Sequence, residues 1–161
     1  MADAATAKKP MDQSDMKEEK IQRFIERCRQ AGLKVTPQRL AIYNLLMDCA
    51  DHPSADWVYR KITGTWPTIS FDTVNRTLLT FAEIGVIATV ESYSLFRRFD
   101  SQTEQHHHQH CIKCGQITDF CDSSLDDALL SKHIGNGFTV TGARVVISGL
   151  CSDCSGKNTA S

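Results

Sequence analysis

The sequence predicts an α+β chain: an N-terminal winged helix-turn-helix followed by a small C-terminal α/β domain holding a structural zinc. Three observations predict it. Four helical segments precede residue 85 and give way to two β-rich runs. Two C-x-x-C pairs, Cys111/Cys114 and Cys151/Cys154, bracket the C-terminal part. Ligand-type side chains are segregated: five of the six His and five of the seven Cys lie beyond residue 100. With 161 residues and 41% apolar content the chain can bury a core, which excludes wholesale disorder. Aromatics at 7% predict an aliphatic core.

Residues 1–16 carry no periodicity and are expected to be a disordered tail; 156–161 are expected to form a second tail. The winged-helix domain is expected over 17–100 and the α/β domain over 101–155, with the boundary in the polar stretch Ser101–Gln105. A first helix runs from about Lys17 to Ala31 and closes at Gly32. Thr36-Pro37 is an N-cap followed by a first-turn proline, and Leu40, Tyr43, Leu46 and Met47 continue at helical spacing. His52-Pro53-Ser54 breaks that helix, and Ser54 caps the next, with Trp57, Val58 and Ile62 apolar. Ser70 caps a fourth, whose Val74, Leu78 and Phe81 form an inner face and whose Asp72, Asn75, Arg76 and Leu79 face outward. Val86–Val90 and Leu95–Phe99 then read as a hairpin around Glu91-Ser92-Tyr93-Ser94. In a winged helix the helix before the hairpin enters the major groove, where Asn reads adenine and Arg reads guanine or phosphate. The same face also suits an ordinary solvated helix.

Net charge is −1, which excludes a uniformly basic coat but not a local patch. Within 20–39, Lys20, Arg23, Arg27, Arg29, Lys34 and Arg39 oppose Glu26 alone. No apolar run approaches the length of a transmembrane helix, and Met1–Met16 lacks a signal-peptide apolar region, so a cytoplasmic protein with no membrane partner is expected.

An odd cysteine count without a secretion signal argues for metal rather than disulfides. Four thiolates form a closed tetrahedral zinc site, one ion per chain, and the 36 residues between the pairs make it a clip on a subdomain read as strand Gln116–Phe120, helix Ser124–His133 and strand Phe138–Ile147. Neither pair opens a helix of a thioredoxin-like unit, which weakens a redox reading. Cys28, Cys49 and Cys121 are expected to be isolated, buried thiols. His106 and His108 share one face of a strand and His107 the other. With Asp100 and Asp119 nearby they suggest a second site suited to iron, manganese or zinc. Neither H-E-x-x-H nor the deaminase H-x-E pattern occurs, so a zinc enzyme is disfavoured.

These residues resemble the ferric uptake regulator (Fur) family. Ala31-Gly32-Leu33-Lys34-Val35-Thr36-Pro37-Gln38-Arg39 and His52-Pro53-Ser54-Ala55-Asp56 look like parts of its DNA-binding domain. Thr73-Val74-Asn75-Arg76-Thr77-Leu78 is similar to its T-V-Y-R-T-L recognition helix, with Asn75 in place of Tyr. His106-x-His108-x-x-Cys111-x-x-Cys114-Gly115 matches its H-x-H-x-x-C-x-x-C-G, and Gly149-x-Cys151-x-x-Cys154 its closing pair. The resemblance covers about residues 18–155. It implies a homodimeric, metal-dependent repressor that is not an enzyme, with the C-terminal domain as dimerisation domain and a palindromic operator as partner.

Carried over by position, the structural zinc takes Cys111, Cys114, Cys151 and Cys154, and a regulatory Fe²⁺ or Mn²⁺ takes His52, Asp100, His106, His108 and Asp119. The DNA contacts fall on Lys34, Arg39, Thr73, Asn75 and Arg76. Asp at both acidic ligand positions resembles the peroxide-sensing PerR branch, in which peroxide oxidises a ligand histidine (His52 or His106) and releases the metal; an iron- or zinc-uptake repressor is the alternative. A further metal site found in many relatives corresponds to His107, Asp126 and Ala143. Alanine cannot ligate, so that site is expected to be weak or missing.

Overall fold

The computed structural model describes residues 13–49, 51–90, 96–130, 137–138 and 143–156. The N-terminal part contains α1 (Gln13–Gln30), α2 (Pro37–Met47), α3 (Ala55–Ile62) and α4 (Phe71–Glu83), followed by a two-stranded antiparallel wing of β1 (Ala88–Val90) and β2 (Arg98–Asp100). The C-terminal part contains β3 (His107–Cys111), β4 (Ile117–Phe120), α5 (Ser123–Leu130), β5 (Val146–Gly149) and the short α6 (Ser152–Gly156). No described helix is long and apolar enough to cross a membrane.

The helix boundaries follow local chemistry. Thr36, Ser54 and Ser70 each accept a hydrogen bond from the backbone N–H three residues on, at 3.3, 3.2 and 3.1 Å. Gly32 (φ +67°) and Gly85 (φ +71°) take the left-handed conformation that ends a helix. In each case the next N–H reaches back to a carbonyl five residues earlier, Leu33 to Cys28 at 2.8 Å and Val86 to Phe81 at 3.0 Å. The start of α1 departs from expectation: its helix begins at Gln13, so 13–16 are not tail. The run Met16–Lys20 consists of good helix formers exposed on every side, which aperiodic sequence does not distinguish from a tail. Residues 1–12 and 157–161 lie outside the described residues, and Gly156 belongs to α6 rather than to the second tail.

The N-terminal core is more aromatic than composition predicts. Phe24 stacks on Tyr43 at 4.2 Å between centroids, Phe81 meets Phe24 edge-on at 5.1 Å, and Phe99 is fully buried. A low aromatic total did not reveal that the few rings converge. Ile42, Leu46, Val58, Ile62, Val74 and Leu78 complete the core with Cys28. Leu79, expected to face outward, packs against this core, and Thr77 is buried, its hydroxyl donating to the Thr73 carbonyl at 2.8 Å.

The wing starts later than the apolar run suggests, because Val86 and Ile87 are consumed by the core under the turn that leaves α4. Its register pairs Ala88 with Asp100 and Val90 with Arg98; residues 91–95 lie outside the described residues. In the second sheet the order is β4-β3-β5, with β4 antiparallel and β5 parallel to β3. The strand expected at Phe138–Ile147 is instead Val146–Gly149, and 139–142 lie outside the described residues. Pairing with β3 rather than local propensity sets its limits, and Ser148 and Gly149, turn-type residues in isolation, sit opposite His110 and Cys111. α5 begins at Ser123, its first N–H groups capped by Asp122 Oδ1, and the end expected at His133 lies outside the described residues.

Candidate metal centres and nucleic-acid interface

The sheet brings the two cysteine pairs together. Cys111 ends β3, Cys114 follows in the turn to β4, and β5 runs parallel to β3 so that Cys151 and Cys154 arrive beside them. The four Sγ atoms lie within 4.8 Å of one another, and Cys114 and Cys151 are 3.7 Å apart. A tetrahedron with Zn–S bonds of about 2.3 Å has edges of about 3.8 Å. Backbone N–H groups of Cys114, Cys151 and Lys113 hold the Cys111 thiol down to about 5, whereas hydrogen bonding to Cys151 and burial push Cys154 up to about 12. A bound cation would favour the thiolate form at all four positions. Cys151 lies directly before α6, but that helix is only five residues long and belongs to no thioredoxin-like βαβ unit. Of the other thiols only Cys28 is buried. Cys49 is half-buried and Cys121 exposed; each follows the end of an element, α2 and β4 respectively.

The second cluster joins the two parts of the chain. His52 comes from the turn between α2 and α3, Asp100 ends β2, His106 immediately precedes β3, His108 lies in it, and Asp119 lies opposite His108 on β4. His52, Asp100, His106 and His108 offer ligand atoms within 4.8 Å of one another and are all buried. Asp119 Oδ1 lies 2.8, 3.9 and 3.5 Å from the Nε2 atoms of His52, His106 and His108. Asp100 Oδ2 lies 2.9 Å from His106, 3.8 Å from His108 and 4.0 Å from His52. Three imidazoles thus turn one nitrogen each toward two carboxylates, with His106 and His108 Nε2 only 3.0 Å apart. His52 Nδ1 has no hydrogen-bond partner though it is buried. Buried imidazoles and carboxylates converging in this way are the donor set of a divalent cation.

Local structure prepares these ligands. His106 Nδ1 lies 2.7 Å from the Glu104 carbonyl and donates to it, leaving the Nε2 lone pair for the cluster. Burial lowers the pKa of His52 despite the pull of Asp119 and Asp100, keeping it neutral. Burial opposes ionisation of Asp100, but the neighbouring His108 ring, the Gln102 N–H at 2.7 Å and the imidazoles of His52 and His106 outweigh it and hold the carboxyl below its usual range. His52 has φ +44°, the sole positive φ among described non-glycine residues. Its turn is pinned to β2: Arg98 Nη1 donates to the His52 carbonyl at 3.4 Å and the Phe99 N–H to that of Pro53 at 3.0 Å. The Asp119 side chain is 33% exposed, the most open of the five. A cavity of about 300 Å³ lined by His52, Asp100, Asp119, Gln102, Met47 and Cys49 gives onto the cluster.

His107 takes the opposite side, as strand alternation requires, and faces Asp126 at 3.3 Å. Ala143 contributes only its carbonyl, which accepts from Gln105 Nε2. Gln105 was missed by sequence reasoning; its position two residues before His107 was the available signal.

On the nucleic-acid side, Thr73 and Arg76 are exposed on α4, Arg76 pairing with Asp72 at 2.8 Å. The Thr73 hydroxyl is tied to Ser70 Oγ at 2.8 Å. Asn75 is half-buried and lines a groove with Phe71, Phe96 and Arg97, the last two unanticipated there. Lys34 is exposed before α2, while Arg39 turns its guanidinium to the Lys34 carbonyl at 2.6 Å.

A model of the ferric uptake regulator family matches residues 30–148. The peroxide-responsive repressor PerR of Staphylococcus saprophyticus is 36% identical over 141 residues, covering 87% of this chain and 95% of that protein. The peroxide operon regulator of Bacillus subtilis is 36% identical over 138 residues, covering 85% and 94%. Among solved structures, the ferric uptake regulator of Francisella tularensis with iron has 26% identity and a TM-score of 0.66, covering 77% of this chain and 96% of that one.

Proposed function

The chain belongs to the ferric uptake regulator family, and from that premise we propose that it is a metal-dependent, DNA-binding transcriptional repressor that senses peroxide. The observation that carries this reading is the five-residue cluster of His52, Asp100, His106, His108 and Asp119, with aspartate at both acidic positions. Its donors suit Fe²⁺ or Mn²⁺, and Fe²⁺ held there supplies one-electron reduction of peroxide. The named relatives at 36% identity are peroxide regulators, which supports the same assignment.

The ligands do the coupling. His52 belongs to the helical part and His106, His108 and Asp119 to the C-terminal sheet, with Asp100 between them. His52, His106, His108, Asp100 and Asp119 would hold a cation shared by both parts, and this would fix how α4 is presented to DNA. A coupling of about 1–3 kcal/mol suffices for a switch. The half-open Asp119 and the adjoining cavity give a small oxidant access from one side, while His52 and His106 are the buried targets beside the cation. Cys111, Cys114, Cys151 and Cys154 hold a structural Zn²⁺ that clips the β3–β5 end together. The chain acts as a homodimer on a palindromic operator in the cytoplasm, carries no enzymatic role, and divides into DNA-binding and dimerisation domains over 17–100 and 101–155. Lys34, Arg39, Thr73, Asn75 and Arg76 line its DNA face, with Asn75 reading adenine where relatives use tyrosine.

The test is operator binding by apo, Mn²⁺- and Fe²⁺-loaded protein with and without micromolar peroxide. Both metals are expected to promote binding, and only the Fe²⁺ form to release DNA on peroxide, with one oxygen gained on a peptide carrying His52 or His106. Release that follows free iron or zinc, without that mass gain, would replace this reading with an uptake repressor.

A further inference from the structure

The strand that carries His106 and His108 bears a second polar cluster on its other face. Asp126 Oδ1, on α5, accepts from Gln105 Nε2 at 2.9 Å and faces His107 Nε2 at 3.3 Å. Gln105 Nε2 also donates to the Ala143 carbonyl. An amide nitrogen has two hydrogens and no lone pair, so between a carboxylate and a carbonyl it satisfies both; the amide oxygen in its place would face two acceptors. The Val145 N–H donates to His107 Nδ1 at 3.2 Å, which occupies the lone pair of that nitrogen. Asp126 Oδ1, the Ala143 carbonyl and His107 Nδ1 each already accept from an N–H of this chain.

We infer that Gln105 is a positioning residue for the regulatory site. Its amide stands where a cation would otherwise bridge Asp126, His107 and the chain at residue 143. It thereby closes this cluster to metal and ties the backbone leading into β3 to α5 and to the approach to β5. The ligand most affected is His106, its immediate neighbour. That ring is held on one side by the Glu104 carbonyl, and its backbone on the other by the Gln105 tie. Two faces of one strand are thus fixed by different means, a shared cation on the His106/His108 side and hydrogen bonds on the Gln105/His107 side. The inference rests on the regulatory-site reading of the five-residue cluster. Gln105 lies at the surface, so removing its amide opens no core.

The experiment titrates Co²⁺ into full-length protein already holding one zinc per chain, reading the visible absorption and the bound metal by mass spectrometry. Wild type is expected to take one further Co²⁺. Gln105→Ala is expected to bind it about tenfold more weakly, the low end for loss of a group behind a metal ligand. Its absorption band should shift while zinc content and thermal unfolding before Co²⁺ addition stay unchanged. Gln105→Glu sets a carboxylate against Asp126 and His107 and is expected to admit a second Co²⁺. Unchanged affinity and spectrum in Gln105→Ala would overturn the positioning role. Two Co²⁺ in wild type, or still only one in Gln105→Glu, would overturn the closure of the cluster. No Co²⁺ binding in wild type would instead overturn the regulatory-site reading beneath it.

Discussion

Asp119 is the ligand through which the proposed chemistry is most directly adjusted. It is the most exposed of the five and borders the cavity. Glutamate keeps the carboxylate but reaches one methylene further, displacing the ligand oxygen on the side from which peroxide arrives. Asp119→Glu is expected to keep metal-dependent operator binding while the Fe²⁺ form becomes several-fold less sensitive to peroxide, measured by gel shift across a peroxide series. His106→Ala removes a fully buried ligand 2.9 Å from Asp100 and is expected to abolish metal-dependent binding, which the same assay reads. At this scale much was legible in the sequence, because His and Cys at fixed spacing carry their chemistry in their side chains. Gln105 was not: an amide has no such signature, and its role depends on Asp126 and the residue 143 carbonyl, 21 and 38 positions away. The burial of Thr77 and Leu79 was equally hidden, since which face of α4 is inner depends on what packs there.

Among the elements, α1 to α4 were readable because caps and turn glycines act over three to five residues, within reach of local sequence. β5 was misplaced because its limits come from pairing with β3, a contact across more than thirty residues. The same pairing delivers Cys151 and Cys154 to Cys111 and Cys114, so the zinc and the sheet stabilise each other. Cys111→Ser is expected to lose most bound zinc and to lower the unfolding temperature of the C-terminal part, since metal-binding energy there is folding energy. Metal analysis with circular dichroism checks it, and zinc-free wild-type protein, freshly reduced, would contradict the assignment. For α4 and the loop before α2, Arg76→Ala and Lys34→Ala are expected to weaken operator binding with the fold intact. Each is expected to reduce the slope of log affinity against log salt by about 1 if its partner is a phosphate. Unchanged affinity in both would mean that another surface meets the DNA.

Across the whole molecule, the five-residue cluster draws side chains from both halves of the chain, so an ion bound there would govern their relation. Two recognition helices of a dimer must fit half-sites about 34–36 Å apart on one face of DNA. Chelation that spares the zinc is expected to broaden the distance distribution between spin labels placed on exposed α4 positions of the two protomers, and Mn²⁺ or Fe²⁺ to narrow it again. Distances indifferent to metal would separate binding at the cluster from control of DNA.

The left-handed backbone of His52 bears on how such a sensor resets. Holding a non-glycine residue in that region costs about 1–3 kcal/mol, and the contacts of its ring and carbonyl sustain it. Once the imidazole is oxidised, the turn has less reason to stay wound. A returning ion must then restore the bend as well as bind, a handicap of about tenfold for each 1.4 kcal/mol. Removing the peroxide would therefore not bring repression back at once.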